Sequence, residues 1–344
     1  MEKILRTLGL SLAILLTTGC GTALQSGAHP EVALSAWAAY WDMESGMAEY
    51  GAMRGRLQGL SYFAASFDAQ DRLVVPLAVS EARQAALKKD DKRLAYLTIV
   101  NDAVGAKGKA LDKDTAVLRR VLANTTVMDR HIAEIISLGK EGRYDGIELD
   151  YERIWKDAPD LVPKFMDFTY RLSRAAIQAG LKLRIVLEPS TPFDAGFCRG
   201  PEYVVMLYNL HGLHSGPGPK ADGAFIEKIM KRMAALPDKR AVALATGGCL
   251  WEAGSSKAQR FLSQKEAVAL RDRHQAKERR DGDSAALIFR YRENEKEYVV
   301  WYADSETINA WITVAARQGS TAVSLWRLGG NTDIEQVKER GEKS

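Results

Sequence analysis

The stretch YDGIELDYERIW, Tyr144 to Trp155, places acidic side chains at Glu148, Asp150 and Glu152, with Leu149 and Tyr151 between them. Read as a β-strand, in which successive side chains point to opposite faces, it aims the three carboxylates one way and Ile147, Leu149 and Tyr151 the other. Carboxylates two residues apart on one strand face stand roughly 7 Å from each other. At that spacing each raises the other's proton affinity, the more so away from water. A solvated strand face mixes lysine and threonine among its acids. An unrelieved acidic row inside an apolar segment points instead to a site, and it makes this segment a strand whose other face is core.

Outward from that strand, short apolar runs alternate with longer helical patterns. The runs are 33–41, 60–67, 94–100, 144–152, 181–188, 202–208, 240–246 and 321–327. Between them, Leu161, Phe165, Phe168, Leu172, Ala175 and Ala176 recur at three- and four-residue steps until Gly180 stops the run. Asp304 to Gln318 repeats the pattern, with Ser305 as the expected N-cap and Ile308, Trp311, Ile312 and Ala315 on one face. Eight strands, each followed by a helix, predict an α/β chain closed as a TIM (β/α)8 barrel. An open doubly wound sheet is the alternative, but no glycine-rich phosphate turn follows the first strand. Residues from about 263 to 302 break the alternation. They read as a charged helix, Lys265 to Arg280, and a hairpin turning at Glu293 to Lys296, a small α+β insertion between strands 7 and 8.

With 344 residues, of which 46% are hydrophobic and 27% charged, the chain has enough material for one large barrel, residues 31–344. The formal charge of +4 is too small an excess on this length to indicate nucleic acid. Residues 1–20 stand apart, because Lys3 and Arg6 precede the apolar run LGLSLAILL and then TTGC. The run is too short for a bilayer span and reads as an export signal. LLTTGC resembles a bacterial lipoprotein box, in which Cys20 would become the lipidated first residue, with Thr17 where leucine is usual. An ordinary cleaved signal with an incidental cysteine is the alternative, second to lipidation. Residues 21–30 read as a flexible linker. The expected location is the cell envelope, membrane-anchored through Cys20.

Cys198 and Cys249 are far enough apart in sequence to permit a bridge in an oxidising compartment, but nothing in their spacing indicates one. The five histidines form no metal-ligand pattern, so neither metal nor cofactor is expected. His211 and His214 read as loop donors, and Asp145 as a turn residue beside Gly146.

In a parallel barrel the reacting groups stand at the C-terminal strand ends, which puts Glu152 at the mouth, Asp150 a layer deeper and Glu148 below it. Desolvation and mutual repulsion would keep a proton in such a set near neutral pH. A protonated carboxyl that can donate to a leaving oxygen is what glycoside hydrolysis requires. The acids cluster on one strand, with no partner across the ring, which suits the mechanism in which the substrate's own N-acetyl group is the nucleophile.

DGIELDYE, Asp145 to Glu152, resembles the D-G-x-D-x-D-x-E pattern of glycoside hydrolase family 18, the chitinase-like TIM barrels. The resemblance implies Glu152 as catalytic acid, Asp150 as the aspartate orienting the acetamido group, and Glu148 where an inner aspartate shares a proton with it. Glu148 departs from the pattern by one methylene. MLYN, Met206 to Asn209, is similar to the sixth-strand M-x-Y-D motif, with Tyr208 toward the N-acetyl group and Asn209 in place of aspartate. SLWRLG, Ser324 to Gly329, resembles the eighth-strand end, where Trp326 would floor the sugar pocket. Tyr40 and Trp41 end the first strand as aromatic residues do in the family. Asn101 and the tail from Tyr298 to Gly330 resemble the spore-germination and cortex-lytic N-acetylglucosaminidases. The implied activity is hydrolysis of β-linked N-acetylglucosamine glycans, peptidoglycan-type ahead of chitin. The alternative, which Glu148 and Asn209 motivate, is a carbohydrate-binding barrel that has lost turnover.

Overall fold

The computed structural model describes residues 31–105, 108–237 and 239–339. The leader, the linker and Cys20 lie outside the described residues. Eight parallel strands close on themselves: β1 (Ala33–Ala39), β2 (Leu57–Phe67), β3 (Leu94–Val104), β4 (Gly146–Asp150), β5 (Lys182–Leu187), β6 (Glu202–Met206), β7 (Arg240–Ala245) and β8 (Ala322–Leu328). Each pairs with its successor, and β8 pairs with β1 through Ala33 to Ala322 and Ser35 to Ser324, so the sheet has no open edge in the barrel. Strands covered on both faces read as continuous apolar runs, and β4 is buried at every position.

The helices are α1 (Met43–Met53), α2 (Leu77–Lys88), α3 (Thr115–Val121), α4 (Thr125–Glu141), α5 (Ile154–Asp157), α6 (Val162–Ala179), α7 (Gly223–Met233), α8 (Gln264–Arg273) and α9 (Ser305–Arg317). Their starts are written locally: the side chains of Asp114, Asn124 and Asp222 accept from the first-turn amides of α3, α4 and α7. On α6, Phe165, Phe168, Leu172 and Ala176 are buried, and Gly180 at φ 74° ends the helix in the left-handed conformation expected of a glycine stop. The N-cap of α9 is Asp304, whose carboxylate accepts from Thr307 N–H at 2.9 Å, and not Ser305, which is the first helical residue. Asp304 is held for that task by the Arg280 guanidinium at 2.7 Å.

Two departures from strict alternation bear on the mouth of the barrel. The β5–β6 connection, 188–201, carries no helix, and among the described residues beyond β8 the helical structure is a 3-10 turn, Ile334–Gln336. Between β7 and β8 lies a five-stranded antiparallel sheet in the order 260–262, 247–252, 296–303, 287–293, 279–280. It begins at Gly247, directly after β7, and α8 covers it around a core of its own that includes Leu250, Leu262, Phe289, Val300 and Tyr302. The hairpin turns at Asn294 and Glu295, both at positive φ, with Glu293 opposite Lys296 as the sequence predicts. The expected helix to Arg280 stops at Arg273, and Arg279 and Arg280 pair as strand.

Candidate active site

The barrel interior is stratified. Its lower layer is polar: Ser35 Oγ meets Ser324 Oγ at 2.6 Å, Arg184 donates to Ser324 Oγ at 2.6 Å, and its Nη1 lies 2.8 Å from Glu148 Oε2. Glu148 is fully buried and also accepts from Trp37 Nε1, from Thr98 Oγ1 at 2.8 Å and from Ser61 Oγ at 3.2 Å. Arg184 faces the rings of Tyr96 at 5.2 Å and Trp37 at 5.8 Å. Its Nε lies 2.9 Å from Glu202 Oε2, an ion pair misaligned for a hydrogen bond. Both oxygens of Glu148 are therefore committed to donors. The geometry gives Glu148 partners besides the expected shared proton with Asp150: Arg184, Trp37, Thr98 and Ser61 hold it as the anchor at the base of the acidic row.

Above this layer Asp150 is 8% exposed, and its Oδ1 is buried with no hydrogen-bond partner. Burial, then the charge of Glu152, holds its carboxyl well above the usual carboxylate range, with Lys113 opposing and Glu148 adding to the rise. An acceptor of this kind, dry and unpartnered, is costly unless something donates to it. Glu152, at the top, is 9% exposed. Burial raises its carboxyl too, and the ammonium of Lys113, paired with Oε2, partly offsets the rise. The Tyr208 hydroxyl is pushed well above its ordinary value, first by burial and then by the charges of Asp150, Glu152 and Glu148, so it works as a neutral hydrogen-bonding group facing the acids.

The aromatic floor stands beside them. Trp326, half-buried, packs edge-on against Phe63 at 4.8 Å, Trp37 at 5.9 Å and Trp41 at 6.3 Å. Tyr40 and Trp41, 46% and 52% exposed, follow β1 as a 3-10 turn. Arg327 lies over Trp41 at 5.6 Å and bonds Asp42 at 2.7 Å. Glu49 of α1 accepts from Gly329 N–H at 2.6 Å and Asn331 N–H at 2.8 Å, fixing the exit of β8 next to the floor.

The structure therefore brings Glu148, Asp150, Glu152, Tyr208, Trp326, Tyr40 and Trp41 to one end and interior of the barrel. Three expected substrate contacts sit elsewhere in the arrangement. Asn101 is 1% exposed, and its Oδ1 accepts from Glu152 N–H at 2.9 Å while its Nδ2 donates to Glu152 C=O at 3.2 Å, so it holds the acid's backbone from behind. Met206, 3% exposed, packs into the inner core with Val186, Val204 and Ala243. Asn209 is exposed in the loop beyond β6. Asp145 accepts from Ala95 N–H at 2.8 Å, a tie from the start of β4 to β3, and His211 serves its own loop through Gly216 and Ser215. Cys198 and Cys249 are both free thiols.

Sequence reasoning missed Arg184 and Lys113. Arg184 had a signal, being a cation in the middle of the apolar run LKLRIVLE, two residues after Lys182 at its exposed start. Lys113, in a loop, had none. Among the described residues no group of three or more His, Cys, Asp or Glu side chains converges as metal ligands would, and no helix is long and apolar enough to cross a membrane. The outer wall also carries an unrelated groove of about 610 Å³ between α1 and α2, lined by residues such as Met47, Tyr50 and Ala82.

No family model matches the chain. It is 24% identical over 265 residues to the Bacillus subtilis protein called uncharacterized glycosylase YvbX, covering 72% of this chain and 74% of that one. Among solved structures, a chitinase from Chromobacterium violaceum superimposes with a TM-score of 0.75 at 20% identity, covering 89% of this chain and 96% of that one. The Bacillus cereus spore cortex-lytic enzyme SleL gives 0.74 at 20% identity, covering 90% and 74%. A class V chitinase from Nicotiana tobaccum, in complex with NAG4, gives 0.67 at 14% identity, covering 90% and 98%. The chain has the fold of these chitinases and cortex-lytic enzymes, which agrees with the resemblance of its acidic motif to glycoside hydrolase family 18.

Proposed function

We propose that the protein is a glycoside hydrolase of the family 18 kind, cleaving β-linked N-acetylglucosamine glycans with retention through participation of the substrate's acetamido group. The observation that carries this reading is the buried, unpartnered Oδ1 of Asp150, set between an anchored Glu148 and a mouth-facing Glu152. An acetamido N–H is the donor that oxygen lacks. Glu152 gives its proton to the glycosidic oxygen as the C1–O bond breaks, and the acetamido carbonyl oxygen forms the new bond to C1. Asp150 accepts the acetamido N–H and stabilises the positive charge of the cyclised ring, and Tyr208 donates to the same group. Water then attacks C1 from the vacated face as the bond from C1 to the acetamido oxygen breaks and the acetamido carbonyl is restored, and the water's proton returns to Glu152. Trp326, with Tyr40 and Trp41 at the rim, provides the apolar surfaces on which sugar faces stack.

Peptidoglycan-type glycans come ahead of chitin in this proposal, supported by the export-type leader and by the likeness to an enzyme named as spore cortex-lytic. Lipid anchoring at Cys20 belongs to the same proposal. It predicts that wild type partitions with membranes and that Cys20→Ala does not.

A second reading, a carbohydrate-binding barrel without turnover, is favoured by one observation: Lys113 pairs with the carboxyl that must act as acid. Release of 4-methylumbelliferone from N-acetylglucosamine and chitobiose glycosides, and mass spectrometry of products from purified peptidoglycan and chitin oligomers, separate the two. Loss of general acid catalysis in Glu152→Gln is expected to cost about 10² to 10⁴-fold. Equal rates for wild type and variant would support the binder.

A further inference from the structure

We infer that Lys113 is a positioning residue for the catalytic cycle, a built-in counter-ion that holds the Glu152 carboxylate in place and makes this acid ready to surrender its proton. The inference rests on the proposed role of Glu152. Lys113 is not a lysine that wanders onto a carboxylate. Its backbone N–H donates to Asp102 Oδ1 at 2.8 Å, and its backbone takes a left-handed turn at φ 54°. The next residue, Asp114, donates its N–H to Asn101 C=O at 2.8 Å and caps α3. Asn101 is the residue whose amide grips the Glu152 backbone on both sides. One residue at the end of β3 thus fixes the acid and the loop that delivers the ammonium. The Lys113 side chain, 37% exposed, reaches inward to a carboxylate side chain 11% exposed.

The charges around Glu152 explain why such a partner is needed. Asp150 faces it from β4, Asp102 from the end of β3, and Glu188 from the end of β5, where Glu188 also accepts from Arg153 N–H at 3.0 Å. Tyr208, two residues beyond β6, is neutral, and Arg153 faces Asp102. Burial among these acids favours the protonated carboxyl. Unopposed, it would hold its proton too firmly to donate it and would make the carboxylate, once formed, an uncompensated buried charge. Lys113 opposes that trend. Burial acts to lower the ammonium's own proton affinity, but the charge and hydrogen bond of Glu152 together with the charges of Asp150 and Glu188 outweigh it, so the lysine stays charged. When Glu152 has given its proton to the leaving oxygen, Lys113 neutralises the resulting carboxylate until water returns the proton.

The test compares wild type, Lys113→Met, Lys113→Gln and Lys113→Arg, each shown to be folded by circular dichroism. Removing a close opposite charge moves a carboxyl by about one pH unit or more. The alkaline limb of kcat/KM on chitin oligomers should therefore move up by at least that much in the Met and Gln variants, leaving about tenfold more of the active form above the wild-type limb, while Arg keeps the wild-type profile. Infrared difference titration of the carboxyls, with the Glu152 band assigned by its loss in Glu152→Gln, should show the same displacement without reference to turnover. An unchanged Glu152 titration in both neutral variants overturns the inference. If that band moves while Glu152→Gln retains full activity, the counter-ion stands and the proposed function fails.

Discussion

Arg184→Met is the sharpest perturbation of the acidic row, because it changes one charge at its base and nearly conserves volume. Arg184 has a side chain 4% exposed and faces a Glu148 side chain that is fully buried, at 2.8 Å. Removing one partner of such a pair leaves a carboxylate without its counter-charge, at a cost of about 3–5 kcal/mol. Glu148 keeps Trp37, Thr98 and Ser61 as donors, which favours the lower part of that range. An unfolding entropy of roughly 2.1 cal/mol/K per residue, over 344 residues, converts this into a fall in Tm of about 4–7 °C. The assay is urea unfolding followed by tryptophan fluorescence and far-UV dichroism, run as a cycle with Glu148→Gln and the double variant. The double variant should recover most of the loss, since no charge remains buried at position 148, and Glu202, the other partner of Arg184, has a side chain 32% exposed and reaches water. Additivity within about 0.5 kcal/mol, or a single-variant cost below about 1 kcal/mol, would refute the reasoning, for Glu148 would then be held by its neutral donors alone.

Three further outcomes follow from other parts of the molecule. The Asp150 carboxyl is raised by burial, so its share of stability is present in full below the unfolded value of about 3.9 and is lost as pH rises toward the folded value. Asp150→Asn should gain stability relative to wild type as pH rises from 4 to 8, measured by urea unfolding at the two values. Asn101→Ala removes both hydrogen bonds to the Glu152 backbone, and leaving buried amide groups unpaired should cost about 1–3 kcal/mol. Under the proposed function, steady-state kinetics should show kcat falling with KM little changed. Gly248→Ala would place a Cβ 1.8 Å from the Trp301 carbonyl oxygen, so the inserted sheet should open, with faster amide exchange at 296–303 than in the barrel strands.

The sequence by itself determined what depends on neighbours along the chain. Alternation aims Glu148, Asp150 and Glu152 one way, the first two on β4 and Glu152 two residues past its end, because the period of a strand is a property of its backbone. The three- and four-residue spacing of α6 and its stop at Gly180 were legible for the same reason. Only the tertiary structure decided what each acid meets. Glu148 reads only as a proton-sharing residue until β5 brings Arg184 alongside it, Asn101 reads as a substrate contact until its amide is seen around the Glu152 backbone, and Lys113 has no pattern to betray it. These pairings depend on the register between β3, β4 and β5 and on where one loop folds back. Register is set by the summed packing of the closed barrel, which no single segment encodes, so chemistry borrowed from a neighbouring strand becomes visible only when the barrel closes.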